Sequence, residues 1–130
     1  MPAGESVYKL LLIDDDPDFV AATKTVLESR HDYKVLTASD GVFGLAIAKA
    51  ERPDLVILDV LMPREDGWHL LQQLQLMPET ANIPVVICSV LRQPQLALAL
   101  GAKKVLEKPV SQGALLQAVN ELLIRKDSQG

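Results

Sequence analysis

The chain of 130 residues has a single cysteine, Cys88, so no disulfide framework can hold it together and its stability must come from a packed core. Cys88 sits inside an apolar run over residues 85–88, where a small buried hydrophobe is expected, and a free thiol suits a reducing cytosol. No apolar stretch approaches the roughly 18 residues that a membrane span requires. The N-terminal MPAGESVYKL has neither a basic start nor a long apolar segment, so secretion and membrane insertion are both disfavoured. Basic residues form no stripe. Formal net charge is −4, with acids gathered at Asp14, Asp15, Asp16, Asp18, Asp59, Glu65 and Asp66, a balance that argues against direct nucleic-acid binding. Internal repeats and low-complexity segments are also missing, and the length suits one ordinary domain.

What the chain does have is a set of short apolar runs that end in polar residues. Residues 55–67 read LVILDVLMPREDG. Four apolar residues there form a buried strand of the parallel-sheet kind and deliver Asp59 at its carboxyl end; Pro63 and Gly67 then open a loop. Residues 7–13 form a second run, ending in Asp14, Asp15 and Asp16. Pro17 begins a helix with Phe19, Ala22, Val26 and Leu27 at helical spacing. Residues 34–38 read as a strand, Asp40 as an N-cap, and Val42, Leu45, Ala46 and Ala48 as the apolar side of a second helix ending before Pro53. Trp68, Leu70, Leu71, Leu74 and Met77 mark a third helix. A strand over residues 85–88 leads to Ser89, and a short helix over residues 94–100 closes at Gly101. A fifth strand, Lys104–Glu107, precedes Lys108 and Pro109. Ser111 caps a last helix bearing Leu115, Leu116, Val119, Leu122 and Leu123, after which residues 125–130 read as a polar tail.

Five strands alternating with five helices predict an α/β fold, a flavodoxin-like doubly wound parallel sheet of order 2-1-3-4-5 with helices on both faces. In such sheets the crevice lies outside the carboxyl ends of the strands, between the first and third. Asp14, Asp15 and Asp59 would meet there. Three crowded carboxylates raise one another's pKa, which points to a bound divalent cation, and oxygen-only donors favour Mg2+. Ser89 and Lys108, at the ends of the fourth and fifth strands, would offer a hydroxyl and an ammonium to the oxygens of a phosphoryl group. Asp59 could then accept that group as an acyl phosphate.

These motifs, LLIDDDP, LDVLMPREDG, VVICS and LEKP, occur in the order found in response-regulator receiver domains of two-component signalling. Over residues 8–124 the chain resembles that family, chemotaxis regulators included. The resemblance assigns a receiver domain to residues 7–124 and implies that Asp59 is phosphorylated by a sensor histidine kinase or phosphotransfer protein. Asp15 and Asp59 would bind Mg2+ through their side chains, Asp14 largely through water, and Leu61 through its backbone carbonyl. Ser89 would swing toward the phosphoryl group, Lys108 would touch it, and the Lys108–Pro109 bond would be cis. Val105 stands where the family carries Tyr or Phe. Nineteen positions separate Ser89 from Lys108 (108 − 89), a few fewer than the common spacing, which shortens the fourth helix or the loop before it.

Leu96 and Leu100 share one side of that short helix, so with both against the sheet Leu98 would be exposed. Leu98, Val105 and Val110 would then offer an apolar patch on the face of the fourth helix, fifth strand and fifth helix, which the family uses for dimerisation and output. Leu61 and Leu91, two residues beyond the phospho-acceptor and the hydroxyl, flank the path of an attacking water in receiver domains and imply a long-lived phosphorylated state. His31, His69 and Trp68 carry no such signal and read as surface or packing residues. A Mg2+-dependent phosphohydrolase similar to haloacid dehalogenases is the competing enzyme class, but it needs an acid where Leu61 stands and a cap domain for which the length leaves no room. A receiver-like interaction module without phosphate chemistry is the competing binding class, and the retained acids, hydroxyl and lysine argue against it.

Overall fold

The computed structural model describes residues 7–63, 65–90 and 93–129, with side chains through Leu123. In chain order the elements are β1 (Tyr8–Ile13), α1 (Pro17–Glu28), β2 (Tyr33–Ala38), α2 (Gly41–Glu51), β3 (Leu55–Leu58), β4 (Leu61–Met62), β5 (Glu65–Asp66), α3 (Gly67–Leu76), β6 (Val85–Ser89), α4 (Pro94–Ala99), β7 (Lys104–Glu107) and α5 (Gln112–Gln129). The principal sheet has five parallel strands in the order β2-β1-β3-β6-β7, which is the order expected once β4 and β5 are set aside as a separate ribbon.

Alternation along the strands builds a core on each face of the sheet, as the period of two requires. Leu11, Ile13, Val56, Leu58, Val85 and Ile87 face one way, toward Ala48 of α2, Leu70, Leu71 and Leu74 of α3, and Ala97 of α4. Leu10, Leu12, Leu55, Ile57, Val86 and Cys88 face the other, toward Leu27 of α1 and Leu115, Val119, Leu122 and Leu123 of α5. Helix starts follow their caps. Asp16, Asp40 and Asp66 accept from the first backbone N–H groups of α1, α2 and α3, and Ser111 Oγ accepts from Ala114 N at 3.1 Å. Gly101, at φ 108°, ends the α4 segment in a conformation that L side chains rarely adopt.

Several elements differ from the expectation. The stretch after Asp59 is a short antiparallel ribbon, Leu61 opposite Asp66 and Met62 opposite Glu65, where a plain loop was expected. Gly67, expected in that loop, begins α3 and is needed there for space: a Cβ would lie 2.3 Å from Val60 Cα. On α2 the buried residues are Gly41, Gly44 and Ala48, while Val42 is 80% exposed. On α1 the buried residues are Thr23 and Leu27, and Ala22 faces out. On α4 Ala97 takes the buried side, Leu100 just beyond it is half-buried, and Leu96 is exposed. The expected polar tail is helical through Gln129, since Arg, Lys and Gln are good helix formers.

Candidate functional site

Parallel, in-register strands end at a common rim, and that geometry assembles the site. Ile13 pairs with Leu58, so Asp14 and Asp59 are the next residues along neighbouring strands, and Asp59 N donates to Ile13 O at 3.0 Å. Leu58 pairs with Ile87, two residues before Ser89, and Ser89 pairs with Glu107 beside Lys108. Lys108 N donates to Ser89 O at 3.0 Å, which joins the ends of β6 and β7. The Lys108–Pro109 peptide is cis, as the resemblance implied.

Asp14, Asp15 and Asp59 converge so that one carboxylate oxygen from each lies within 4.8 Å of the others. Asp14 and Asp59 are buried and Asp15 is exposed at the rim. Each buried acid has its two oxygens in different roles. Asp14 Oδ1 accepts from Asp16 N at 2.9 Å and Asp59 Oδ1 from Leu61 N at 2.9 Å, while both Oδ2 atoms face Lys108 Nζ, at 2.8 and 3.2 Å respectively. The ammonium also lies against the ring of Phe19, whose centroid is 4.0 Å from Nζ.

Burial raises the pKa of Asp14, with the Lys108 hydrogen bond the largest opposing influence and the charge of Asp59 the smallest contribution. Desolvation, more than mutual repulsion, therefore dominates here. For Lys108 burial is the largest single influence and acts downward, but Asp14 and Asp59 together outweigh it and raise the pKa, so the amine is held firmly as ammonium. Burial pushes the Cys88 thiol up to about 12, which leaves it an inert core residue.

Ser89 is buried at the rim between Asp59 and Lys108 in strand order. Leu61 is 51% exposed beside Asp59, and Leu91 lies outside the described residues. Val105, opposite Ile87, is half-buried against the core beneath α2, α3 and α4. Leu98 is 51% exposed and lines, with Val105, Lys104, Ala118 and Glu121, a cavity of ≈ 480 Å³ between α4, β7 and α5. Phe19 was missed as a site residue because helical spacing alone made it one member of an apolar face. An aromatic three residues after a capping acid, beside an acidic pair, was the available signal.

A family model for the response regulator receiver domain matches residues 10–120. The chain belongs to the response-regulator receiver family. Among relatives of this receiver domain, PilH of Pseudomonas aeruginosa is 35% identical over 118 residues, which cover 88% of this chain and 97% of PilH. The DNA-binding dual master transcriptional regulator RpaA of Synechocystis is 37% identical over 122 residues, but the receiver domain spans only 50% of that longer protein. Solved structures agree. The CheY-like receiver domain protein of Methanospirillum hungatei superposes with a TM-score of 0.88 at 26% identity, covering 96% of this chain and 100% of that one. A receiver domain protein of Clostridium thermocellum gives 0.85 at 32% identity, covering 95% and 100%. No described helix of the receiver domain is long and apolar enough to cross a membrane.

Proposed function

We propose that this receiver domain is a cytoplasmic phospho-accepting switch, in which Asp59 takes a phosphoryl group from a sensor histidine kinase or phosphotransfer protein. One observation carries the reading. The Asp59 carboxylate is oriented by a backbone N–H on one oxygen and an ammonium on the other, inside a cluster of three carboxylates at the sheet rim. An Asp59 oxygen attacks phosphorus, the phosphorus–nitrogen bond of the donor's phosphohistidine breaks, and the electron pair leaves on the imidazole, which takes up a proton.

The donor set fits Mg2+. It is oxygen-only, and it brings three carboxylates against one ammonium. Asp14, Asp15 and Asp59 would hold the ion, with the Leu61 carbonyl, and when bound it supplies positive charge against the transferring oxygens. Lys108 neutralises charge on the phosphoryl group, and Ser89 offers its hydroxyl. The domain assists its own phosphorylation and dephosphorylation and does not turn over a separate substrate. The face of α4, β7 and α5, with exposed Leu98, receives a partner or a second copy.

The test is intact-mass measurement after incubation with acetyl phosphate. One added phosphoryl group is expected, dependent on Mg2+ and lost in Asp59→Asn. An unchanged mass with Asp59 intact would overturn the proposal.

A further inference from the structure

Phe19 belongs to α1, whose other half-buried residues pack on the core beneath α1 and α5, yet its ring also lies against the charged end of a residue from the opposite end of the chain. A chain of contacts fixes it there. Asp14 Oδ1 accepts from Asp16 N at 2.9 Å; Asp16 Oδ1 in turn accepts from Asp18 N at 3.0 Å and from Phe19 N at 3.4 Å. The Phe19 ring meets Lys108 Nζ, and Nζ donates back to Asp14 Oδ2 at 2.8 Å. The acid, the helix cap, the aromatic and the lysine therefore form a closed circuit, in which moving the ring moves the cation relative to the acids.

The circuit matters because the lysine must change partners. At rest Nζ spans Asp14 and Asp59. When Asp59 carries a phosphoryl group, the ammonium must leave that carboxylate oxygen for a phosphoryl oxygen. A hydrogen-bond acceptor holds a cation only along particular directions, whereas the face of an aromatic ring attracts it over a broad area. The ring also keeps water from the ammonium, and a dry cation acts more strongly on developing negative charge than a hydrated one.

The geometry points to Phe19 as a positioning residue for Lys108: it holds the ammonium by a cation–π contact while its oxygen partners exchange during phosphoryl transfer. This role rests on phosphorylation of Asp59 as proposed above. Phe19 itself touches no reacting atom.

Two measurements test it. In the wild type the Lys108 ε-methylene protons, lying near the ring face, should be shifted upfield in the NMR spectrum, and the shift should vanish in Phe19→Leu; this needs no phosphorylation. In the second, the rate of phosphorylation by acetyl phosphate at saturating Mg2+ is compared across variants, a small donor being used so that lost kinase docking cannot mimic the effect. Phe19→Leu, which keeps apolar bulk, should be slower by about 3- to 10-fold, the range of a partly dry cation–π contact. Mg2+ affinity should be unchanged, Phe19→Trp should restore the rate, and Phe19→Leu should add nothing in a Lys108→Ala background. An ordinary Lys108 chemical shift in the wild type, an undiminished rate in folded Phe19→Leu, or an equal slowing with and without Lys108 would overturn it. A wild type that takes up no phosphoryl group would instead overturn the reading on which it rests.

Discussion

Replacing Lys108 with Met removes one positive charge while keeping an unbranched stem, and so isolates what the ammonium does for the fold. Its side chain is 14% exposed, against 1% for Asp14 and 7% for Asp59. Taking one member from a buried ion pair costs about 3–5 kcal/mol when the remaining charge has no escape. Asp14 has one. Burial already lifts its pKa above 3.8, and the lysine is the largest influence holding it down. Without Lys108 that pKa rises further, and protonation limits the loss, at about 1.4 kcal/mol per unit. The deficit should therefore be about 2–4 kcal/mol at pH 7 in metal-free buffer, or roughly 10 °C in Tm for a domain of this size. The sign of its pH dependence follows from linkage. A carboxyl whose folded pKa is raised takes up its proton more readily in the folded state, so stability returns as pH falls through that pKa toward the unfolded value near 3.8. Thermal melts of both proteins at pH 7 and at pH values approaching 4, with chelator present, should show the gap closing on acidification. A variant as stable as the wild type at pH 7, or a gap that ignores pH, would refute the reasoning.

The same raised pKa predicts that Asp14→Asn is more stable than wild type at pH 7 without metal, and that the gain shrinks on acidification toward the unfolded value near 3.8 in paired melts. Gly67→Ala should lower stability by about 2–3 kcal/mol or more, read as a lower urea midpoint, because its Cβ would meet the backbone of Val60 at 2.3 Å and backbone cannot step aside. Once phosphorylated, a Leu61→Asn, Leu91→Glu double variant should lose its phosphoryl group faster than the wild type after donor removal, since polar side chains can orient the attacking water; equal decay would refute control by these leucines.

The order of the sheet and the meeting of Asp14, Asp15, Asp59 and Lys108 were legible because each rests on a strong signal. Apolar runs of strand length end in charge, and parallel topology places those ends together. The misassigned faces of α2 and α4 share one physical cause. Where a helix lies close to the sheet, the inward residue is the small one: Gly44, whose added Cβ would come within 2.6 Å of Ile13 Cδ1, turns inward on α2 while Val42 and Phe43 face solvent, and Ala97 does so on α4 in place of Leu96. Ranking residues by hydrophobicity misassigns such faces, because close approach selects for volume first. The β4–β5 ribbon was invisible for a different reason, since two residues per strand are too few for any periodicity. Phe19 escaped because its second contact comes from a residue 89 positions away (108 − 19).

The six residues of α4 follow Gln93, which makes no side-chain capping bond, and the helix buries only Ala97. Little besides its own backbone bonds holds it, so opening this segment costs far less than opening the sheet on which it rests. Its amides should accordingly trade hydrogen for deuterium well before those of capped α3, which buries Gly67, Leu70, Leu71 and Leu74. If Asp59 is phosphorylated as proposed, a helix so lightly fastened is the element that can move, with the exposed Leu98 it carries, at least cost to the core.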